Sequence, residues 1–222
     1  MNTIECWHGQ LSDETDQQHW QHLSASELAH AATFKNLLLR NRYLSVRSHL
    51  RQVLAQKLSV APKTIEFSKA EHGKPYLADY PELAFNLSHS ANAWIIAVGW
   101  RCRLGVDIEI AKPRANLAAL VEKCFADVEA SYWHSLPAHQ QTAAFYRFWT
   151  RKEAFVKATG RGIALGLKQC VLNPEQSTQF LNVPEEFAPA SVWRVLDLDV
   201  GCGLVGALAV DNLSADIKLI NI

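Results

Sequence analysis

Apolar positions recur at helical spacing in the first third of the chain. Between residues 25 and 58, leucines, valines and tyrosines return every three or four positions, which predicts one or two helices. A second long helix is predicted at 139–159, between the pattern break at Pro137 and Gly160, a residue suited to helix ends. Two short helices are predicted between these stretches, at 116–125 and 127–135.

Short runs rich in β-branched and aromatic residues predict strands. A run at 64–68 leads into a turn at 72–75. The other predicted strands are 84–87, 94–100, 104–110, 191–198 and 204–210, with a turn at 201–203 before the last.

Helices and strands do not alternate regularly enough for a parallel Rossmann-type sheet, so we predict an α+β fold. Each half of the chain shows a helical stretch and a few strands, which hints at a duplicated unit. The hinge is placed near 101–103, and it divides the chain into halves 1–102 and 103–222.

Composition narrows the class of protein. The 222 residues are 49% hydrophobic and 20% charged, enough for a buried core, and 22 basic residues balance 22 acidic ones. This balance argues against a dedicated nucleic-acid binder. No apolar run approaches the ~18 residues of a membrane span, and residues 1–10 do not read as a signal peptide. Five cysteines without a C-x-x-C pair are typical of a reducing compartment, so a cytoplasmic protein is expected.

Two carboxylates share one face of the strand predicted at 104–110. Asp107 and Glu109 are two residues apart, and side chains two apart on a strand point the same way. Such a pair is costly on an apolar strand unless a cation neutralises it, and Mg²⁺ commonly takes one or two carboxylates with water and phosphate oxygens. Taken alone, a polar strand edge in solvent is the simpler interpretation.

Two further groups could complete a phosphate site. Glu153 and Lys157 are four apart on the long helix, which fits either a surface ion pair of ~0.3–0.5 kcal/mol or a metal carboxylate beside a phosphate-binding lysine. Ser88 and His89 follow the strand at 84–87 and could donate to phosphate oxygens, although a structural turn histidine is the common case. A serine nucleophile is not indicated, because the G-x-S-x-G elbow is missing.

Four motifs, in this order, resemble those of the 4′-phosphopantetheinyl transferases of the surfactin-synthetase-activating type. They are G-K-P at 73–75, F-N-L-S-H-S at 85–90, G-V-D-I-E at 105–109 and W-T-R-K-E-A-F-V-K at 149–157. The similarity covers about residues 30–165, including the arginine-rich helix. Each motif is weak alone, but four in order with matching spacing are specific.

The resemblance implies an enzyme that moves phosphopantetheine from coenzyme A to a serine of an apo acyl or peptidyl carrier protein, releasing adenosine 3′,5′-bisphosphate. It implies two similar α+β halves packed as an intramolecular pseudo-dimer, with the active site between them, in a monomer. Mg²⁺, with Mn²⁺ as a second candidate, would be held by Asp107, Glu109 and Glu153.

The implied coenzyme A ligands come from both halves. They are His30, Arg42, Arg47, Lys74, Asn86, Ser88, His89 and Lys157, with Lys74 near the adenine and its 3′-phosphate. Relatives usually carry Lys or Arg at the position of His30, so either His30 is protonated on binding or Arg42 or Arg47 shares that phosphate.

Glu153 and Lys157 are the implied catalytic residues together with Glu129, the implied acceptor of the carrier serine's proton. A water on the metal is one alternative to Glu129. A structural glutamate, favoured in a first helical turn by the helix dipole, is another.

Two other functions compete with the transferase. A metal-dependent phosphodiesterase, such as a nuclease or phosphatase, could use the same carboxylates, but the neutral charge disfavours a polynucleotide substrate. A non-catalytic module that binds coenzyme A or a carrier would not need a costly acidic cluster.

Overall fold

Two β-sheets and two long helices dominate the computed structural model, which describes residues 3–11, 17–162, 165–176, 178–201 and 203–222. The strands are β1 (Thr3–Gln10), β2 (Ser68–Lys69), β3 (Pro75–Tyr76), β4 (Leu83–Ser90), β5 (Ala93–Trp100), β6 (Leu104–Ile110), β7 (Val171–Leu172), β8 (Phe180–Asn182), β9 (Arg194–Leu198), β10 (Leu204–Val210) and β11 (Asp216–Asn221). The helices are α1 (Ala25–Ala32), α2 (Leu37–Leu58), α3 (Leu117–Cys124), α4 (Asp127–Ser135) and α5 (Ala138–Thr159).

The first sheet has the strand order β11-β1-β5-β4 and the second β6-β10-β9. Neighbouring strands are antiparallel except for β11, which runs parallel to β1. The remaining strands form two small ribbons, β2 with β3 and β7 with β8. The last strand of the chain therefore belongs to the sheet that the first half builds.

Both faces of the first sheet are covered. Along β5, Trp94, Ile96 and Val98 pack in the same cluster as the buried residues of α2. Ile95 and Ala97 point the other way and pack with apolar residues of β6 and β10. A strand covered on both faces reads as a continuous apolar run rather than an alternating one, as the segment 93–99 does.

The helix predictions are confirmed, with two helices in 25–58 rather than one. Asn36 accepts from the Leu39 N–H (3.1 Å) and starts α2, while Ser59 ends it in the left-handed conformation. The long helix α5 ends where predicted, at Gly160, whose φ is +74°. A left-handed residue after a helix satisfies its last carbonyl groups, which explains the glycine.

The predicted α+β fold is confirmed. The strand predicted at 64–68 is wrong, because a 3₁₀ helix occupies Pro62–Thr64 and β2 begins only at Ser68. The turn predicted at 201–203 includes Cys202, which lies outside the described residues. The division into 1–102 and 103–222 stays a prediction. Within the described ranges, none of the helices has the length and apolar character that a membrane span requires.

Candidate active site

Side chains of β4 join the two sheets, because β4 and β6 belong to different sheets and are linked by side-chain hydrogen bonds. Asn86, Ser88 and Ser90 are two apart, so they point toward the same neighbour, β6. Their bonds are Val106 N–H to Asn86 Oδ1 (2.9 Å), Ser88 Oγ to Asp107 Oδ1 (2.8 Å) and Ser90 Oγ to Glu109 Oε2 (3.0 Å). The two predicted metal carboxylates are thus oriented by serines of the other sheet.

Gly105 lets α5 lie directly on β6. A Cβ atom at this position would stand 2.2 Å from the Ala154 carbonyl oxygen and 2.3 Å from the Ala158 nitrogen. Only glycine permits this approach, since both neighbours are helix backbone. The approach brings Lys157 Nζ to 2.7 Å from Asp107 Oδ1 and 2.9 Å from Ser88 Oγ.

The cluster formed by Asp107, Glu153 and Lys157 is strained electrostatically. Burial raises the pKa of Asp107 even though Lys157 and Ser88 lower it. Burial also raises the pKa of Glu153, Asp107 raises it further, and Lys157 offsets part of the effect. One ammonium therefore faces more negative charge than it neutralises.

Two carboxylate oxygens of this cluster fit a hard cation. Asp107 Oδ2 and Glu153 Oε1 are buried and have no hydrogen-bond partner within the described part of the chain. In the same part, no three His, Cys, Asp or Glu side chains already stand together as a metal-ligand cluster. We attribute the lack of a three-residue cluster to Glu109, because its carboxylate accepts a hydrogen bond from Ser90 and not from the groups around Asp107. The residues present fit Mg²⁺ held by one or two carboxylates, with Glu109 joining on exchange of its serine bond.

One cavity lies beside the cluster, and a second, larger cavity adjoins the first. The smaller, about 250 Å³, is lined by Asn86, Glu153 and Lys157 together with the Gly73 turn. The larger, about 710 Å³, is lined by His30 and Arg47 and shares the Gly73 and Pro75 lining with the first. Their lining residues together reach from Glu153 and Lys157 of the cluster to His30 on α1.

Two of the cations that line the larger cavity are bound by Glu27, a residue that was not among the predicted ligands; Lys63 and Lys69 line the cavity as well. The two carboxylate oxygens of Glu27 bind Arg47 (2.6 Å) and Arg51 (2.6 Å). Burial alone would raise the pKa of Glu27, but the Ser24 N–H and both guanidinium groups lower it overall. His30 remains on the rim, exposed, with its ring 5.0 Å from that of Tyr43.

Two predicted coenzyme A ligands are bonded to other groups, and a third lies outside both cavities. Arg42 donates to Asn92 in the turn between β4 and β5. Lys74 Nζ donates to backbone carbonyls rather than into a cavity. His89 is exposed at the end of β4 and lines neither cavity. Partial burial, then Lys157 and Arg42, lower its pKa, which disfavours the charged imidazolium.

Glu129, the predicted proton acceptor, does not face this cluster. Its side chain has no exposure, and its carboxylate accepts from Lys152 Nζ (2.7 Å) and from the N–H groups of Ala126 (2.7 Å) and Leu172 (2.8 Å). A carboxylate enclosed in this way cannot reach a hydroxyl of another protein. The structural alternative for Glu129 is the one that the geometry supports, because it ties α4, α5 and β7 together.

Replacing Glu129 by alanine is expected to destabilise the fold by about 3–5 kcal/mol, because the buried ammonium of Lys152 loses its counter-ion. Urea denaturation measures this loss. The folded fraction should keep its single-turnover transfer rate. As the control, the double replacement Glu129→Leu with Lys152→Met removes both charges and should recover most of the stability. A stable Glu129→Ala protein with lost transfer would instead return Glu129 to the reaction.

Two family models match the chain. Residues 10–100 match the model described as "4'-phosphopantetheinyl transferase, N-terminal". Residues 103–209 match the one described as "4'-phosphopantetheinyl transferase superfamily". The gap between the matches falls at 101–102, in the region where the hinge is predicted.

Several curated proteins are similar along most of their length. The 4'-phosphopantetheinyl transferase HetI of Nostoc sp. is 37% identical over 85% of this chain and 78% of its own length. Sfp of Bacillus subtilis is 26% identical over 95% and 93%. AcpT of Salmonella typhimurium is 31% identical over 66% and 81%.

Proposed function

The chain belongs to the 4′-phosphopantetheinyl transferase family, and we propose that its reaction takes place at the cluster of Asp107, Glu153 and Lys157. It is an enzyme that transfers phosphopantetheine from coenzyme A to a carrier protein. The observation that carries the location is the pair of buried, unpartnered carboxylate oxygens beside a lysine at the end of a long cleft. A binding module or a phosphodiesterase is not favoured.

The residues of the cluster divide the work. The carrier serine oxygen attacks the β-phosphorus of coenzyme A, and the bond to adenosine 3′,5′-bisphosphate breaks. Lys157 places its positive charge on the oxygens that gain negative charge, and Ser88 and Asp107 fix its ammonium in advance. Mg²⁺, held by Asp107 and Glu153 with Glu109 as a third ligand, would neutralise the pyrophosphate. With Glu129 enclosed by its bonds to Lys152, Ala126 and Leu172, water, the other alternative of the sequence analysis, is the candidate acceptor for the serine proton.

We place the pyrophosphate in the smaller cavity and the adenosine end in the larger one. Positive charge remains there for a phosphate, because Glu27 alone binds both Arg47 and Arg51 while Lys63 and Lys69 also line the cavity. We assign the 3′-phosphate to His30 and Arg47 in this cavity. Arg42 is not assigned to it, since it is bonded to Asn92 and lines neither cavity.

The deciding experiment incubates the protein with coenzyme A, Mg²⁺ and an apo carrier protein, followed by mass spectrometry of the carrier. A gain of one phosphopantetheine, lost when Mg²⁺ is chelated, is the expected result. Coenzyme A binding without a mass gain would support the binding module instead. Cleavage of a phosphodiester without carrier modification would support the phosphodiesterase.

The site also bears on assembly and location. Both sides of the cleft come from one chain, so we propose an active monomer, which light scattering would contradict by showing a larger active species. Cys6, Cys102, Cys124 and Cys170 carry free thiols. Free thiols persist in a reducing compartment, which supports the proposal of a cytoplasmic enzyme; recovery of the activity outside the cytoplasm would contradict it.

A further inference from the structure

Lys74 crosses from the first half of the molecule into the second. It follows Gly73 in the turn between β2 and β3, and its ammonium donates to the carbonyl oxygens of Leu104 (3.0 Å) and Ala158 (2.8 Å). These acceptors are the first residue of β6 and a residue in the last turn of α5. One side chain therefore joins three separate segments of the chain, namely its own turn, β6 and α5.

The carbonyl group of Ala158 favours a cation because of its place in the helix. Ala158 is among the last four residues of α5, whose carbonyl groups lack helical N–H partners and carry the negative end of the helix dipole. The environment of the ammonium is poor in water, and burial lowers the pKa of Lys74 to about 8. The alkyl chain is held closely as well, because a Cβ atom on Gly160 would stand 3.1 Å from Lys74 Cδ.

The bridge lies one residue from Lys157 on α5 and one residue from Gly105, the contact point of the helix, on β6. Leu104 precedes Gly105, the point where α5 contacts β6, and Ala158 follows Lys157. A shift of α5 along β6 would therefore move Lys157 away from Asp107 and Ser88. The ammonium of Lys74 opposes this shift, since it binds the helix and the strand at the same time.

We propose that Lys74 is a positioning residue, which fixes the crossing of α5 and β6 and so holds Lys157 in place. This proposal rests on the proposed function. The ammonium of Lys74 donates to two backbone carbonyls, and the residue also lines the smaller cavity. This role differs from the one implied by the resemblance, in which Lys74 is a coenzyme A ligand near the adenine and its 3′-phosphate.

Lys74→Met separates these two roles. For a positioning residue, kcat should fall between about tenfold and a hundredfold, the range that a misplaced group produces, while affinity for adenosine 3′,5′-bisphosphate stays within about twofold. Lys74→Arg, which keeps a cation with several donors, should restore part of kcat. Calorimetry with the bisphosphate and transfer kinetics supply the two readouts.

The control is Lys57→Met, which removes a partly buried lysine paired with Glu5 on β1, away from the crossing. It should lower stability without changing kcat. If Lys74→Met is poorly folded, Lys74→Gln keeps one donor and takes its place. A large loss of bisphosphate affinity with unchanged kcat would overturn the proposal.

An activity-independent readout separates a failure here from a failure of the proposed function. Amide hydrogen exchange in residues 156–160 should be faster in Lys74→Met than in the wild type and in Lys57→Met, whether or not transfer is measurable. Unchanged exchange would overturn the role of Lys74. Absent transfer in the wild type, with the expected exchange difference, would overturn only the proposed function.

Discussion

Replacing Glu153 by glutamine is expected to abolish transfer and, at neutral pH without metal, to make the fold more stable. The pKa of Glu153 is higher in the folded protein than in the unfolded chain, mainly because of burial and then because of Asp107. The folded state therefore binds the proton more tightly, and stability falls as pH rises from the unfolded pKa through the folded one. A neutral amide removes that cost. It also removes a carboxylate that we assign to the metal.

Urea denaturation with a chelator at pH 5 and pH 7.5 measures this effect, and the pH slope should be smaller in Glu153→Gln. Mg²⁺ at about 100 times its Kd should stabilise the wild type by about 2.7 kcal/mol and the variant much less. Glu122→Gln, an exposed glutamate of α3, is the control and should change neither property. Normal transfer by Glu153→Gln with Mg²⁺ supplied would remove Glu153 from the site.

Of the glycine-to-alanine substitutions in strands of the second sheet, Gly105→Ala is expected to lower the stability of the fold most. The added Cβ would meet α5 backbone at 2.2 Å and 2.3 Å, and backbone cannot move aside as a side-chain end can. The helix must separate from β6, and a loss of about 3 kcal/mol or more is expected from this overpacking. Lys157 would move with the helix, so transfer by the folded fraction should fall as well.

Gly206→Ala offers a matched control on the neighbouring strand β10. Its added Cβ would stand 3.0 Å from the Leu198 carbonyl oxygen and 3.3 Å from side-chain atoms, so a smaller adjustment suffices. The same denaturation series should rank Gly105→Ala well below Gly206→Ala in stability. Equal losses would mean that contact with α5 is not what requires glycine at 105.

Local patterns predicted most of the elements that bury one clear face. The strand β6 and the helix α5 were predicted closely because apolar runs and breakers such as Gly160 mark their ends. The strand β1 was not predicted, since polar residues such as Glu5 and His8 interrupt its apolar side chains. β11 has mostly exposed side chains and depends on pairing with β1, a contact that no local pattern contains.

The site was predictable where chemistry and spacing coincide. Asp107, Glu153 and Lys157 are brought together by the fold, as their motifs indicated. The burial of Glu129, which argues against the predicted role as a base, was not visible in the sequence, because its partner Lys152 has the pattern of an ordinary helix residue until the packing of α5 buries it. Glu27 was missed for the same reason. Ser90 could have been found, since it lies two residues beyond Ser88 on the strand facing Glu109.

The parallel pairing of β11 with β1 has a consequence for the order in which the protein can be completed. During synthesis residues 3–100 emerge early, but the β1 edge of their sheet stays open until residues 216–221 have been made. An open strand edge invites pairing with other chains. A fragment that ends at the predicted hinge near 101–103 would therefore lack β11, the strand that covers the β1 edge of its sheet.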